Sequence, residues 1–174
     1  MSTFKMLVLA SAVLLTACAP TAPVQRLRLG QTPTPEQVRA WDIDVRADGA
    51  GLPAGSGSVA QGQAIYQARC LACHGEKGEQ GTGPRLAGGQ GTLATKSPVL
   101  TVGSYWPYAT TLYDYIHRAM PLDSPQSLTP NEVYAVTAYT LHLNGIVKAD
   151  AVLDAQSLAA IRMPNRDGFR PVLK

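Results

Sequence analysis

Five consecutive residues carry the densest chemistry in the chain: Cys70-Leu71-Ala72-Cys73-His74. Two thiols three positions apart on a helical turn can reach the two vinyl groups of one haem and form thioethers. The imidazole that follows then lies under the iron as an axial ligand. One C-x-x-C-H run implies one covalently attached haem c. Two other chemistries use a cysteine pair at this spacing. A thioredoxin-like dithiol follows a strand in a βαβ frame, and no strand pattern precedes Cys70. A Cys₂His₂ zinc site closes with histidines roughly three to five residues apart, whereas His117 and His142 lie 25 apart.

A haem iron with one imidazole has a sixth position. Met120, in Arg118-Ala119-Met120-Pro121, stands 46 residues after His74. A thioether favours ferrous iron and raises the potential, and Pro121 and Pro125 stiffen the loop that would present it. Met1 and Met6 belong to the leader described below. Met163 and His117 are the other candidates, and an open sixth position is the remaining alternative. His142 is assigned to packing on the last helix.

Positioning these groups requires helices. Ser58 and Gln61 make a capping box for a first helix in which Gly62 and Tyr66 share a face leading to the cysteines. Glycine in mid-helix costs about 1 kcal/mol against alanine, which a close helix crossing would offset. Residues 75–109 are glycine- and proline-rich and read as loop. Thr111 with Asp114 is expected to open a second short helix, stopped by Pro121. Thr129-Pro130-Asn131-Glu132 is a complete start signal, with Thr as N-cap, Pro at N1 and Glu at N3. That third helix should run to about Asn144, with Gly145 just past its end. No alternating strand pattern is visible, so the fold class is all-α with long loops.

The chain opens with Lys5 and a ten-residue apolar run, residues 6–15. A membrane span needs roughly 17–25 residues, so residues 1–17 read as an export signal. The run ends in Leu15-Thr16-Ala17-Cys18, which resembles the lipobox of bacterial lipoproteins and implies lipidation at Cys18 and a membrane anchor in the periplasm. Residues 18–57 read as an extended tether, with Trp41 and Ile43 anchoring it along a haem domain at 58–145. Residues 146–174 form a C-terminal tail, too polar for a core element. Within it, residues 163–169 read either as a strap or as a docking arm led by Arg166, Asp167 and Phe169.

Of 174 residues, 45% are hydrophobic and 16% charged, enough for a packed core and against wholesale disorder. A net charge of +3 without a basic run points away from nucleic acid as a partner. Three cysteines make no paired disulfide framework.

These features together resemble a class I cytochrome c over residues 58–145. Gly62, Tyr66 and Tyr139 match that family's helix-contact positions, and Gly83-Pro84-Arg85-Leu86 matches its Gly-Pro-x-Leu loop. The resemblance implies that the Pro84 carbonyl accepts from His74 Nδ1–H and that Leu86 packs on the haem. Ser104-Tyr105-Trp106-Pro107-Tyr108 reads as a lid over the core, or as a source of a propionate hydrogen bond from Trp106 or a neighbouring tyrosine, with Arg85 adding a charge-assisted one. Lys77, Lys96 and Arg118 read as solvated surface, or as a ring around the haem edge. More narrowly, residues 41–169 resemble the cytochrome subunits of bacterial sulfite and sulfane dehydrogenases. That implies a molybdenum-cofactor subunit as electron donor and a downstream cytochrome or terminal oxidase as acceptor. Some of those subunits carry two haems, and they are commonly soluble, whereas this chain has one attachment motif and a lipobox. With two protein ligands the function is electron transfer. An open sixth position would instead make a haem enzyme or gas-binding site.

Overall fold

A computed structural model describes residues 29–170, so the export signal and Cys18 lie outside the described residues. The chain divides into two compact units after Val38. The described part of the first unit, residues 29–38, begins helix α1 (Pro35–Trp41). Thr34 and Gln37 cap it reciprocally: Gln37 N–H donates to Thr34 Oγ1 at 3.3 Å, and Thr34 N–H to Gln37 Oε1 at 2.8 Å. A segment expected to run extended is therefore partly helical.

The second unit contains β1 (Ser56–Ser58), α2 (Val59–Arg69), α3 (Leu71–His74), α4 (Ala109–Ala119), α5 (Pro130–Leu143), β2 (Val152–Asp154) and α6 (Ala155–Ala159). Both expected capping boxes form, Ser58 with Gln61 on α2 and Thr129 with Glu132 on α5. α5 ends at Leu143 with Asn144 as its C-cap, and Gly145 follows at φ +70°. α5 is buried without interruption from residue 133 to residue 141. Where α2 crosses it, a Cβ on Gly62 would stand 1.9 Å from the Ala135 carbonyl oxygen. Only hydrogen fits there. One turn on, the Tyr66 and Tyr139 rings meet at 5.1 Å.

Three features depart from the sequence-based expectation. First, a small antiparallel ribbon pairs Ser56 with Asp154, Gly57 with Leu153 and Ser58 with Val152; strands of three residues leave no readable alternation. Second, α4 begins at Ala109, with no side-chain cap. Asp114, expected at its start, is buried mid-helix and accepts from the Val45 N–H at 2.8 Å and from Arg118 Nε at 3.1 Å. Third, Trp41 is not an anchor: it is 87% exposed, while Val45 is buried. Two further bonds tie the stretch after Trp41 to the helices, from Thr110 Oγ1 to the Ala47 carbonyl at 3.1 Å and from the Tyr134 hydroxyl to the Pro53 carbonyl at 2.8 Å.

The polar tail also supplies core residues. Leu153, Leu158 and Met163 are buried, Met163 to 1% exposure. Residues 163–169 lie along the aromatic loop. Asn165 Nδ2 donates to the Tyr105 carbonyl at 2.6 Å, Arg166 sits 4.1 Å above the Tyr108 ring, and Phe169 meets Tyr105 edge-on at 5.1 Å. Asp167 pairs with Arg162. The strap reading fits these contacts; as a docking arm, Arg166 and Asp167 would first have to leave partners within the chain. Among the described residues no helix is long and apolar enough to cross a membrane.

Candidate haem cleft

α2 delivers Cys70 as its C-cap, and α3 is the single turn that carries Cys73 and His74. Cys73 N–H and His74 N–H both donate to the Cys70 carbonyl, at 3.2 and 3.0 Å, so the three side chains are fixed to one turn. The Tyr66 hydroxyl donates to the Gly75 carbonyl at 2.8 Å and holds the exit of that turn. Burial pushes this phenol up to about 12, so it stays a donor.

The following loop folds back onto the turn. Gly83 N–H donates to the Cys73 carbonyl at 2.7 Å, and Leu86 N–H to the Gly78 carbonyl at 2.7 Å. This sets His74 Nδ1 2.8 Å from the Pro84 carbonyl oxygen. The carbonyl can only accept, so Nδ1 carries the proton and Nε2 is left with a lone pair. A Cβ on Gly83 would lie 3.1 Å from the His74 ring. The loop thus approaches the imidazole closely enough that a side chain at residue 83 would crowd the ring.

Cys70, His74, Pro84, Arg85, Leu86, Trp106 and Met120 all line one cleft. Its volume, counting the open mouth, is about 820 Å³. Val102, Leu112, Ile116 and Val136 complete an apolar wall. Cys73 is exposed and does not line the cleft. Met163 and His117 do not line it either; Met163 is core, and the His117 ring lies against Tyr113. His142 Nδ1 is 3.1 Å from the Val147 carbonyl, at the end of α5 as expected. Trp106 is half-buried and meets Tyr115 edge-on at 5.7 Å. Arg118 is paired with Asp114 through its Nε and Nη2, so it is not a free charge at the cleft edge.

Several lining residues escaped sequence reasoning. Leu112 and Ile116 precede Met120 at i−8 and i−4, a spacing that could have identified the stripe. Thr101 and Val102 had no such signal. They are placed by a buried network in which Thr101 N–H donates to Ser104 Oγ at 2.9 Å and Ser104 Oγ to the Val99 carbonyl at 2.6 Å.

The donor set decides what this cleft can hold. Reactive cysteine pairs have a lowered thiol pKa, yet burial pushes the Cys70 thiol up to about 11. Among the described residues no three His, Cys, Asp or Glu side chains cluster as a metal site. An apolar slot with a thiol and a tautomer-fixed imidazole at one turn fits a covalently held haem. When bound, haem supplies a one-electron Fe(III)/Fe(II) couple.

Comparison with known proteins agrees. The family described as Cytochrome c matches residues 59–144. No curated protein matches the chain. A chain of the crystal structure of the sulfane dehydrogenase SoxCD from Paracoccus pantotrophus is 46% identical, with a TM-score of 0.79; the match covers 84% of this chain and 72% of that one. This chain belongs to the cytochrome c family, and is an electron-transfer protein with a covalently bound c-type haem.

Proposed function

We propose that the chain takes electrons from a molybdenum-cofactor dehydrogenase acting on sulfite or protein-bound sulfane sulfur. It passes them to a downstream cytochrome or terminal oxidase in the periplasm. The observation that carries this reading is the 46% identity with a sulfane dehydrogenase structure over 84% of the chain. That match extends well beyond the family segment 59–144 and takes in flanking segments that a general cytochrome c does not need. Oxidation of sulfite to sulfate, with water supplying the oxygen, releases two electrons and two protons. A carrier with one haem takes one electron, so each turnover reduces two copies of this chain.

In this reading Cys70 and Cys73 would hold the haem by thioethers, and His74 and Met120 would ligate its iron. Pro84 orients His74, Leu86 packs on the ring, and Arg85 and Trp106 serve the propionates. Support comes from the Pro84 bond to His74 and from Met120 sharing the cleft. Cys18 carries a lipid that holds the protein at a membrane.

The test is stopped-flow reduction of the ferric protein by sulfite plus the candidate dehydrogenase. Fast reduction, with two copies reduced per sulfite consumed, is expected. If that dehydrogenase fails at micromolar concentration while an unrelated donor succeeds, the sulfur assignment fails and a general lipoprotein shuttle remains. Met120→Ala should abolish the near-infrared Met–haem charge-transfer band and lower the potential. Cys18→Ser should release a soluble, haem-loaded domain; membrane retention after a high-salt wash would refute the anchor.

A further inference from the structure

We propose that Arg69 is a positioning residue for Met120, latching the loop that follows Met120 to the helix end that leads into Cys70. The inference rests on the reading of Met120 as an axial ligand.

Residues 121–128 connect α4 to α5. Their ends are secured, because Pro121 and Leu128 are buried and Met120 N–H donates to the Ile116 carbonyl at 3.0 Å. Between them Leu122, Asp123, Pro125, Gln126 and Ser127 are exposed. Arg69 holds this middle. Its Nη2 donates to Ser124 Oγ and to Ser127 Oγ, both at 2.9 Å. The two hydroxyls are 3.4 Å apart, and Ser124 N–H donates to the Pro121 carbonyl at 3.0 Å. The pull on Ser124 is therefore relayed to the residue next to Met120.

The backbone between the serines is itself strained. Gln126, at φ +61°, is the one non-glycine residue with positive φ among the described residues. A left-handed conformation costs a side-chain-bearing residue roughly 1–2 kcal/mol and persists where surrounding contacts over-determine it. Here that conformation brings both hydroxyls to one guanidinium nitrogen. Arg69 is next to Cys70 in sequence, so a single side chain links the thioether segment to the Met120 segment.

With haem bound and Met120 on its iron, the thioether would be a weak ferric ligand, one that added imidazole could replace once the loop opens. The apparent imidazole affinity therefore contains the free energy of opening. The Arg69 bonds are charge-assisted, but the side chain is exposed, which weakens them. Their loss should tighten imidazole binding about tenfold, or about 1.4 kcal/mol.

The experiment is imidazole titration of the ferric holoprotein, read from the Soret band, with thermal unfolding measured alongside. Arg69→Ala should bind about tenfold tighter, and Ser124→Ala/Ser127→Ala should match it. Combining all three should add nothing further, and Arg69→Lys should recover part of the loss. Unchanged imidazole affinity in Arg69→Ala, even with a lowered Tm, overturns the latch. Ser127 is exposed and Ser124 half-buried, so the serine pair tests the latch even where Arg69→Ala fails to fold; unchanged affinity there is equally fatal. Met120→Ala is the control. If it binds imidazole no more tightly than wild type, the axial assignment has failed. If it binds more tightly while the latch variants do not, the latch alone has failed.

Discussion

Replacing Gly83 with alanine should raise the reduction potential through His74. The backbone at Gly83 is not in the left-handed region, so alanine is conformationally allowed and the perturbation is steric. Its methyl would stand 3.1 Å from Cε1 and 3.2 Å from Nδ1 of His74, and 3.1 Å from the Cys73 carbonyl oxygen. Ordinary carbon contacts are about 3.5–4.0 Å, so the ring must yield by a few tenths of an ångström. The bond under strain is Nδ1 to the Pro84 carbonyl, now 2.8 Å. Such a bond contributes a net ~1 kcal/mol. With His74 on the iron as proposed above, it would matter more in the ferric state, where the imidazole is more positive and its N–H more acidic. Losing the bond therefore destabilises ferric protein more than ferrous. For one electron, 59 mV is tenfold, so 1 kcal/mol is about 43 mV. Only the ferric-minus-ferrous difference enters the potential, and the bond is stretched rather than broken, so the rise is at most roughly half of that, about 20 mV. Spectroelectrochemical titration measures it, and retention of the Met–haem band would show that the proposed Met120 ligand is undisturbed. An unchanged or lowered potential would refute the claim that the Pro84 bond sets the basicity of His74.

Gly62→Ala should destabilise the fold by about 2 kcal/mol, because overpacking against a backbone that cannot rotate away costs ~1–3 kcal/mol or more and outweighs the ~1 kcal/mol of helix propensity gained; denaturant unfolding of the holoprotein checks it. Asp114→Ala should cost about 2 kcal/mol by leaving the buried Val45 N–H unpaired, whereas Arg118→Ala should cost under about 1 kcal/mol as an exposed pair. The Glu132 carboxyl is held below its ordinary range by the Thr129 N–H, then by the Thr129 hydroxyl and Arg69. A lowered folded-state pKa stabilises above the ordinary glutamate value and loses that stabilisation as pH falls through the lowered one. Acid titration of stability should therefore be shallower in Glu132→Gln than in wild type across that window.

Local signals were legible and long-range ones were not. The capping boxes at Ser58 and Thr129 depend on three or four residues, and both formed where the sequence placed them. Thr34-Pro35-Glu36-Gln37 carries the same signal as Thr129-Pro130-Asn131-Glu132. Its proline-rich surroundings mask that signal, because they favour an extended chain. The start of α4 is illegible in the sequence for a different reason. Asp114 looked like a helix-start residue, but its carboxylate is engaged by Val45, 69 positions earlier, a partner no local window contains. Trp41 illustrates the limit of residue type: a large apolar side chain invited an anchor, yet the smaller Val45 fills the buried place. In the cleft, the C-x-x-C-H turn and the Gly83-Pro84 loop were readable, while Thr101 and Val102 reach the wall through a hydrogen-bond network spread over several loops.

The division of labour on α4 explains why the chain carries more than a minimal haem domain. Leu112, Ile116 and Met120 form an i, i+4 stripe on the cleft. Thr110, Asp114 and Arg118 form a second stripe, two of whose members bond to residues 45 and 47 of the preceding segment. Tyr113 faces α5 through Tyr134, at 4.6 Å. The tail adds a third support. A backbone bridge joins Arg162 to Tyr108, immediately before α4 begins, and Leu158 and Met163 enter the core. A one-electron carrier works best when its ligand geometry is the same before and after transfer, because any rearrangement adds to the barrier. The segments flanking the family domain both act on the helix that ends in Met120. The contacts of the preceding segment lie on a stripe other than the one facing the cleft, and the tail's bridge lies just before the helix, so both support that helix while Leu112, Ile116 and Met120 line the cleft.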